Sequence, residues 1–445
     1  MMAEATTQMF DRDAQTMPVE QRREQQQRRL QELLARVQNA SPQHRQQLHG
    51  IDAREVTLDN LHELPTVSKK ELREYYPLGA LCVERGDLRR IHATSGTSGR
   101  PTIVAYTERD MEVMGRTNAR VLDAAGAKQG TLVHNAYGYG LFTGGLGMHQ
   151  GIEHLGACTV PISGGMTQRQ VTLIRDLYPE ILLSTPSYAA TLADAMAHEG
   201  IAASANSLRV GIFGAEPWSE GMRASLQAGL GIRAMDIYGM CELQGPGVAF
   251  ESLDSPGHMF INEDFFYPEC IDPYTGEAVP EGEVGELVFT TLTKEAVPVI
   301  RYRTGDLASL QRIDDPGGRT FITMSRIVGR SDDMLVIRGV NVFPSEIEAV
   351  LLTDDRVSTA YTLVIDERGN MPTLTAVTEP MPDVPASQID PMLGQLQHAL
   401  KDRLGISCQV VLSPPGGLPR TEVGKAVRVK HWRKGEDSPF PGLLG

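Results

Sequence analysis

"EILLSTPSYAATLADAMAHEGIAASANSLRVGIFGAEPW", residues 180–218, decides the fold class. Residues 180–185 and 208–214 are short apolar runs rich in Ile, Leu and Val, the pattern of buried strands. Residues 187–199 between them read as a helix. The same alternation continues on both sides, with strand-like runs at 131–137, 158–163 and 232–239 and a helix over 167–177. Strands that alternate with helices predict an α/β fold of layered, mostly parallel sheets. Functional loops are then expected at the carboxyl ends of those strands.

Outward from this core the pattern changes. Residues 18–39 predict a helix with Leu30, Leu33, Leu34 and Val37 on one face, and Ser41-Pro42 ends it. Its "QRREQQQRR" run reads as a solvated face, and Ser68 with Glu71 forms a capping signature for a second, short helix. Residues 271–313 are turn-punctuated strands at close spacing and predict an antiparallel, barrel-like part. Near residue 332 a strand, a Gly turn and a Pro-Ser-Glu helix start open a small α+β unit. The expected organisation is an N-terminal domain over 1–331, with a helical lead-in over 1–85 and the barrel-like part over 271–331. A C-terminal domain covers 332–445.

The chain of 445 residues is too long for one ordinary core. Its net charge of −14 disfavours nucleic acid or an anionic membrane as the default partner. No apolar run is long enough for a membrane span, and no secretory leader is expected. Five scattered cysteines without a C-x-x-C pair point to free thiols in a reducing cytosol, hence a cytoplasmic protein. Cys241, His258 and Cys270 are widely spaced and read as buried thiols and a loop histidine rather than a metal cluster.

"ATSGTSGRP", residues 93–101, gathers hydroxyls and glycines around one cation, Arg100. Thr94, Ser95, Thr97 and Ser98 supply donors, and Gly96 and Gly99 let backbone N–H groups face an anion. The lysine of the common ATP loop is absent, and a strand, "TIVAYT", follows instead of a helix. A clamp on a polyphosphate and a plain Gly/Ser hairpin turn both fit this segment alone. Further on, Glu242 in "YGMCE" could bind Mg²⁺, and Asp306 in "YRTGD" could accept from ribose hydroxyls. Arg330 follows in "GRSDD", and Lys425 lies behind a Gly near the carboxyl terminus.

In order and wording these segments resemble the adenylate-forming superfamily of acyl-CoA synthetases, adenylation domains and luciferases, and more closely the phenylacetate–CoA ligases. "ATSGTSGRPTIVAYT", "NAYGYGLFTGGLG", "SGGMTQRQVTLIRD", "GIFGAEPW", "DIYGMCELQGPGVAFE", "ELVFTTLTKEAVPVIRYRTGDL" and "GRSDDMLVIRGVNVFPSEIE" carry the resemblance, which spans roughly residues 50–430. It implies ATP-dependent activation of an aryl carboxylic acid through an acyl-adenylate, followed by attack of the coenzyme A thiol.

The resemblance also implies roles. Residues 94–99 and Arg100 would hold the departing phosphates, and Glu242 would hold Mg²⁺. Gly214, Ala215, Glu216 and Pro217, with Asp236, Ile237, Tyr238 and Gly239, resemble the adenine wall. Asp306 and Arg330 would grip the ribose. Lys425, on a mobile C-terminal domain, would reach the substrate carboxylate and the α-phosphate, and Asp332 would be the hinge. A homodimer is expected on the same ground.

Tyr137, Tyr139, Phe142 and Gly144 would line an aryl pocket with Pro246, although a tightly packed core helix also fits this glycine-rich run. Met148, Gln150 and Gln244 depart from the usual family wording. Met148 would shorten the cavity, and either glutamine could meet a polar ring substituent; neutral drift is the other reading. The alternative acceptors are a carrier-protein thiol or an amine, and the alternative class is a non-catalytic nucleotide-binding regulator. Glu242, Asp306, Arg330 and Lys425 together argue against the regulator.

Overall fold

The computed structural model describes residues 9–94, 101–331, 335–337, 340–369, 371–421 and 426–444. The lead-in consists of α1 (Arg12–Gln15), α2 (Val19–Val37), α3 (Pro42–Gln47) and α4 (Lys69–Glu74). Leu30, Leu33, Leu34 and Val37 of α2 are all buried, as their helical spacing predicts. Ser68 and Glu71 make a reciprocal capping box at the start of α4.

β1 (Arg90–Ala93) and β2 (Ile103–Tyr106) form an antiparallel two-stranded hairpin. Then α5 (Glu108–Ala124), β3 (Leu132–Asn135), α6 (Thr143–Leu155), β4 (Cys158–Val160), α7 (Thr167–Leu177) and β5 (Ile181–Ser184) alternate. The alternation runs on through α8 (Pro186–His198), β6 (Val210–Gly214), α9 (Glu220–Leu230) and β7 (Arg233–Met240). Strands β4, β3, β5, β6 and β7 are neighbours in that order and all parallel. This is the expected α/β core, and its strands are apolar because helices cover them.

The sheet turns antiparallel at β8 (Gly245–Ser252) and β9 (Ser255–Ile261), upstream of residue 271. It continues through β10 (Phe266–Ile271), β11 (Val284–Thr291), β12 (Tyr302–Gln311), β13 (Thr323–Met324) and β14 (Gly329–Arg330). β13 pairs with both β12 and β9, so the barrel-like part is a continuation of the main sheet.

The small domain begins with the hairpin β15 (Leu335–Ile337) and β16 (Val340–Val342) and with α10 (Pro344–Leu351). A four-stranded sheet follows, made of β17 (Val357–Asp366), β18 (Thr373–Pro380), β19 (Cys408–Leu412) and β20 (Val429–Trp432), with α11 (Ala386–Leu404) packed on it. Its core, including Ile347, Leu363, Leu396 and Leu400, is its own. The molecule is a two-domain α/β protein with a large mixed sheet and a small α+β domain.

Helices α5 and α6 approach closely because glycines allow it. A Cβ at Gly151 would stand 2.3 Å from the Cβ of Asn118, and one at Gly147 would stand 2.8 Å from the Pro246 ring. The glycine-rich run therefore serves packing. This pins α6 between α5 and the start of β8.

Candidate functional site

Strand β7 ends at Met240, and the chain reverses into β8 through residues 241–244. Leu243 and Gln244 N–H both donate to the Met240 carbonyl, so the turn is tight. It carries Glu242, only 2% exposed, whose Oε1 has no hydrogen-bond partner. A buried carboxylate needs a counter-charge, and Lys69 provides one, with Nζ 3.4 Å from Oε1. Lys69 is placed by β12: Val67 N–H donates to the Arg301 carbonyl and Arg303 N–H donates back to Val67, at 3.0 and 2.9 Å. Helix α4 starts directly after that bridge.

Glu242 lines a cleft with Tyr75, Tyr76, Pro101 and Thr102, the point where the hydroxyl-rich loop rejoins β2. Thr94 closes the hairpin by accepting from Thr102 N–H at 3.1 Å. Ser95, Gly96, Thr97, Ser98, Gly99 and Arg100 lie outside the described residues, as do Asp332 and Lys425. A second cation supports the turn from inside. Lys294 is buried, donates to the Leu243 carbonyl at 2.8 Å and sits 4.6 Å from the Tyr106 ring centroid. Burial pulls its ammonium down to about 8, while Asp110, Cys241 and Glu242 hold it up.

At the carboxyl end of β7, Tyr238 OH donates to Asp306 Oδ2 at 2.8 Å, and its ring stacks on Phe289. Burial, reinforced by the Asp306 charge, pushes the phenol well above its ordinary value, so it stays a donor. Asp306 and Arg330 stand opposite each other in the β12–β14 register, and Arg330 closes on Asp306 Oδ1. The structure thus brings three of the expected residues into one cluster.

Gly214 ends β6 so close to β7 that a Cβ there would be 2.2 Å from the Ile237 carbonyl. Ala215 follows at φ 73°, a strained value for a residue other than glycine. Both Glu216 oxygens are engaged. Oε1 accepts from Ser187 N–H at 2.8 Å, and Oε2 accepts from Ala426 N–H of the small domain at 2.9 Å. Pro217 is exposed. Asp236 is buried and donates its N–H to Glu251, and burial with the Glu251 charge pushes its carboxyl well above the ordinary carboxylate range. Gly239 abuts the Gly245 carbonyl.

In the expected aryl region, Tyr137 is buried against α6, with its ring 3.6 Å from a Cβ placed at Gly144. Tyr139 OH accepts from Asn135 Nδ2 at 2.8 Å and meets His149 Nδ1 at 3.0 Å. Phe142 is 45% exposed at the start of α6. Met148 is fully buried in the core cluster that holds Tyr137. Gln150 accepts from Arg90 at 3.5 Å, and Gln244, 1% exposed, donates to the Asp110 carbonyl. The two glutamines are thus held by protein groups. Lys69 and Lys294 were missed in the sequence: each acts on a turn far along the chain, and nothing local marks them.

Residues 5–292 match the family model described as AMP-binding enzyme, and residues 339–433 match the AMP-binding enzyme C-terminal domain. Over 444 residues the chain is 45% identical to the phenylacetate-coenzyme A ligase of Thermus thermophilus, covering 96% of this chain and all of the relative. Among solved structures, 2-hydroxyisobutyryl-CoA ligase in its postadenylation state with 2-HIB-AMP matches at a TM-score of 0.90 and 28% identity, covering 96% of this chain and 93% of that one. The same ligase with 2-HIB-AMP and CoA in its thioesterification state matches at 0.71 and 29% identity, covering 95% and 92%.

Proposed function

The chain belongs to the AMP-binding enzyme family, and from that premise we propose a specific assignment: phenylacetate or a close aryl analogue as the acid, with the site described above as its machinery. The enzyme is an AMP-forming acid–thiol ligase that activates an aryl acid with ATP and passes the acyl group to coenzyme A. The carboxylate attacks the α-phosphorus and pyrophosphate leaves. The thiol then attacks the acyl carbon and AMP leaves.

Full-length similarity to a phenylacetate-coenzyme A ligase carries the choice of acid. Supporting it, three of the departures from family wording do not build a polar pocket. Met148 is core, and Gln150 and Gln244 already have partners.

Asp306 with Arg330 takes the ribose hydroxyls, and Tyr238 fixes the Asp306 carboxylate for that task. The loop 94–100 holds the phosphates that leave, and Pro101 and Thr102, which follow it, line the same cleft as Glu242. Lys425 meets the charge that builds at the α-phosphate, and Asp332 is the hinge between the domains. Glu242 suits Mg²⁺: its Oε1 is buried without a hydrogen bond, and one carboxylate plus substrate phosphates is an ordinary Mg²⁺ ligand set. When bound, the ion spreads charge along the phosphate chain. Lys69 supplies a counter-charge to the carboxylate in its absence. A reducing compartment fits five cysteines that are all free, and among the described residues no helix is long and apolar enough to cross a membrane.

The test is pyrophosphate release over a panel of aryl acids, with and without coenzyme A, with thioester followed separately. Acid-dependent release that is fastest with phenylacetate, and a thioester only with coenzyme A, is expected. Preference for a hydroxy- or amino-substituted ring would sink the assignment of the acid.

A further inference from the structure

The two domains meet through a pair of carboxylates that face opposite ways. Glu216, on the large domain, accepts from Ala426 N–H of the small domain at 2.9 Å. Glu348, on α10 of the small domain, accepts from Ser219 N–H at the cap of α9 in the large domain at 2.8 Å. Neither is a loose surface contact. Glu348 is 3% exposed, and its second oxygen accepts from Tyr361 OH at 2.8 Å. Glu216 uses its second oxygen on Ser187 N–H at the first turn of α8.

Around this pair the interface is close-fitting. Arg428 reaches Ser187 Oγ at 3.2 Å while lying over the Tyr361 ring, and Thr191 Oγ1 donates to the Thr421 carbonyl at 3.3 Å. A Cβ on Gly221 would fall 2.4 Å from the Leu352 Cβ and 2.8 Å from its carbonyl oxygen. Any side chain at 221 therefore forces the domains apart. The arrangement matches the postadenylation structure better than the thioesterification structure of one and the same ligase.

We propose that Glu216 and Glu348 form a reciprocal clasp that selects the domain arrangement used for adenylation, each acting as a positioning residue for that half-reaction. Both bonds go to backbone N–H groups, so they register the two domains without depending on a second side chain. Both break together when the small domain rotates, because each spans the same interface. Ala426 and Thr421 of the small domain are both held against the large domain, the first by Glu216 and the second by Thr191. This rests on the two-step reaction proposed above.

The test separates the half-reactions in the full-length enzyme. Glu348→Ala should slow acid-dependent pyrophosphate release by about tenfold or more, the worth of a hydrogen bond to a charged group. It should leave thioester formation from supplied acyl-adenylate and coenzyme A unchanged. Glu348→Gln, which keeps an acceptor oxygen, should recover part of the loss. Gly221→Val should act like Glu348→Ala without touching either carboxylate. Tyr361→Phe removes only the bond inside the small domain and should not change the partition between the steps. A matching fall in both half-reactions, an equal effect of Tyr361→Phe, or no effect of Glu348→Ala and Gly221→Val would overturn the clasp. Spin labels on the two domains give a readout independent of activity. Both variants should reduce the population at the interdomain distance described here, and an unchanged distance distribution would overturn the clasp. If the native enzyme releases no pyrophosphate with any aryl acid, the functional reading fails instead, and the distances still decide the clasp.

Discussion

Tyr238 and Asp306 share a 2.8 Å hydrogen bond at the carboxyl end of β7. The phenol is buried and the carboxylate is held from its other side by Arg330. A carboxylate fixed from two sides is held in one orientation, which is what recognition of a diol requires.

Asp306→Ala should therefore raise the apparent KM for ATP by about tenfold or more, with Asp306→Asn in between. Steady-state kinetics with ATP varied checks this. An unchanged KM for ATP, with only kcat reduced, would remove Asp306 from nucleotide binding.

Lys69→Met leaves Glu242 buried without its counter-charge. The nucleotide-free protein should lose about 1–3 kcal/mol of stability, seen as a lower melting temperature by calorimetry. Magnesium and ATP should narrow the gap between variant and native protein. A gap of the same size with and without ligand would show that Lys69 does not serve the Glu242 site.

His44 gives a pH test in the lead-in. Burial drives its imidazole down to about 4 from 6.5, with the Arg36 charge adding to that and a Pro298 carbonyl opposing it. Between those values the unfolded chain binds more protons than the folded one, so stability rises with pH and is lost as pH falls from about 6.5 to about 4. The native protein should lose about 3 kcal/mol across that window that His44→Asn does not. Urea unfolding of both proteins along a pH series measures the difference. A constant difference across the series would disprove it.

Gln150 contacts Arg90 at 3.5 Å. Gln150→Tyr should leave the ratio of kcat/KM between phenylacetate and its ring-hydroxylated analogue as it is in the native enzyme. A changed ratio would bring Gln150 back into the acid site.

Helices and strands with an apolar period were readable before the structure. α7 spans Thr167–Leu177 as expected, and α8 spans Pro186–His198, one residue from its expected limits, with Thr185 as its cap. The switch to antiparallel strands at β8 was not anticipated. The run from Gly245 to Ile261 carries glycines and prolines that hide its alternation, and its pairing is set by contacts across the sheet. Tyr238, Asp306 and Arg330 were legible because each sits in a distinctive segment. Gln244 stands out in the sequence because it departs from the family wording near the expected acid pocket, but its side chain donates to the Asp110 carbonyl. Lys69 and Glu242 are neighbours only because β12 captures Val67, and no local pattern encodes such a meeting.

That capture ties distant parts of the chain together. Strand β12 carries Asp306 and, at its start, Tyr302, flanked by Arg301 and Arg303, which exchange hydrogen bonds with Val67 and so deliver Lys69 to Glu242. A shift in that one strand would misplace Asp306 and Lys69 in the same event. Val67 and Lys69 of the lead-in are thus a structural part of the site proposed for the nucleotide. Transplanting the parallel-sheet core into another protein, or trimming the lead-in to shorten this one, would carry Glu242 along without the charge that makes its burial tolerable.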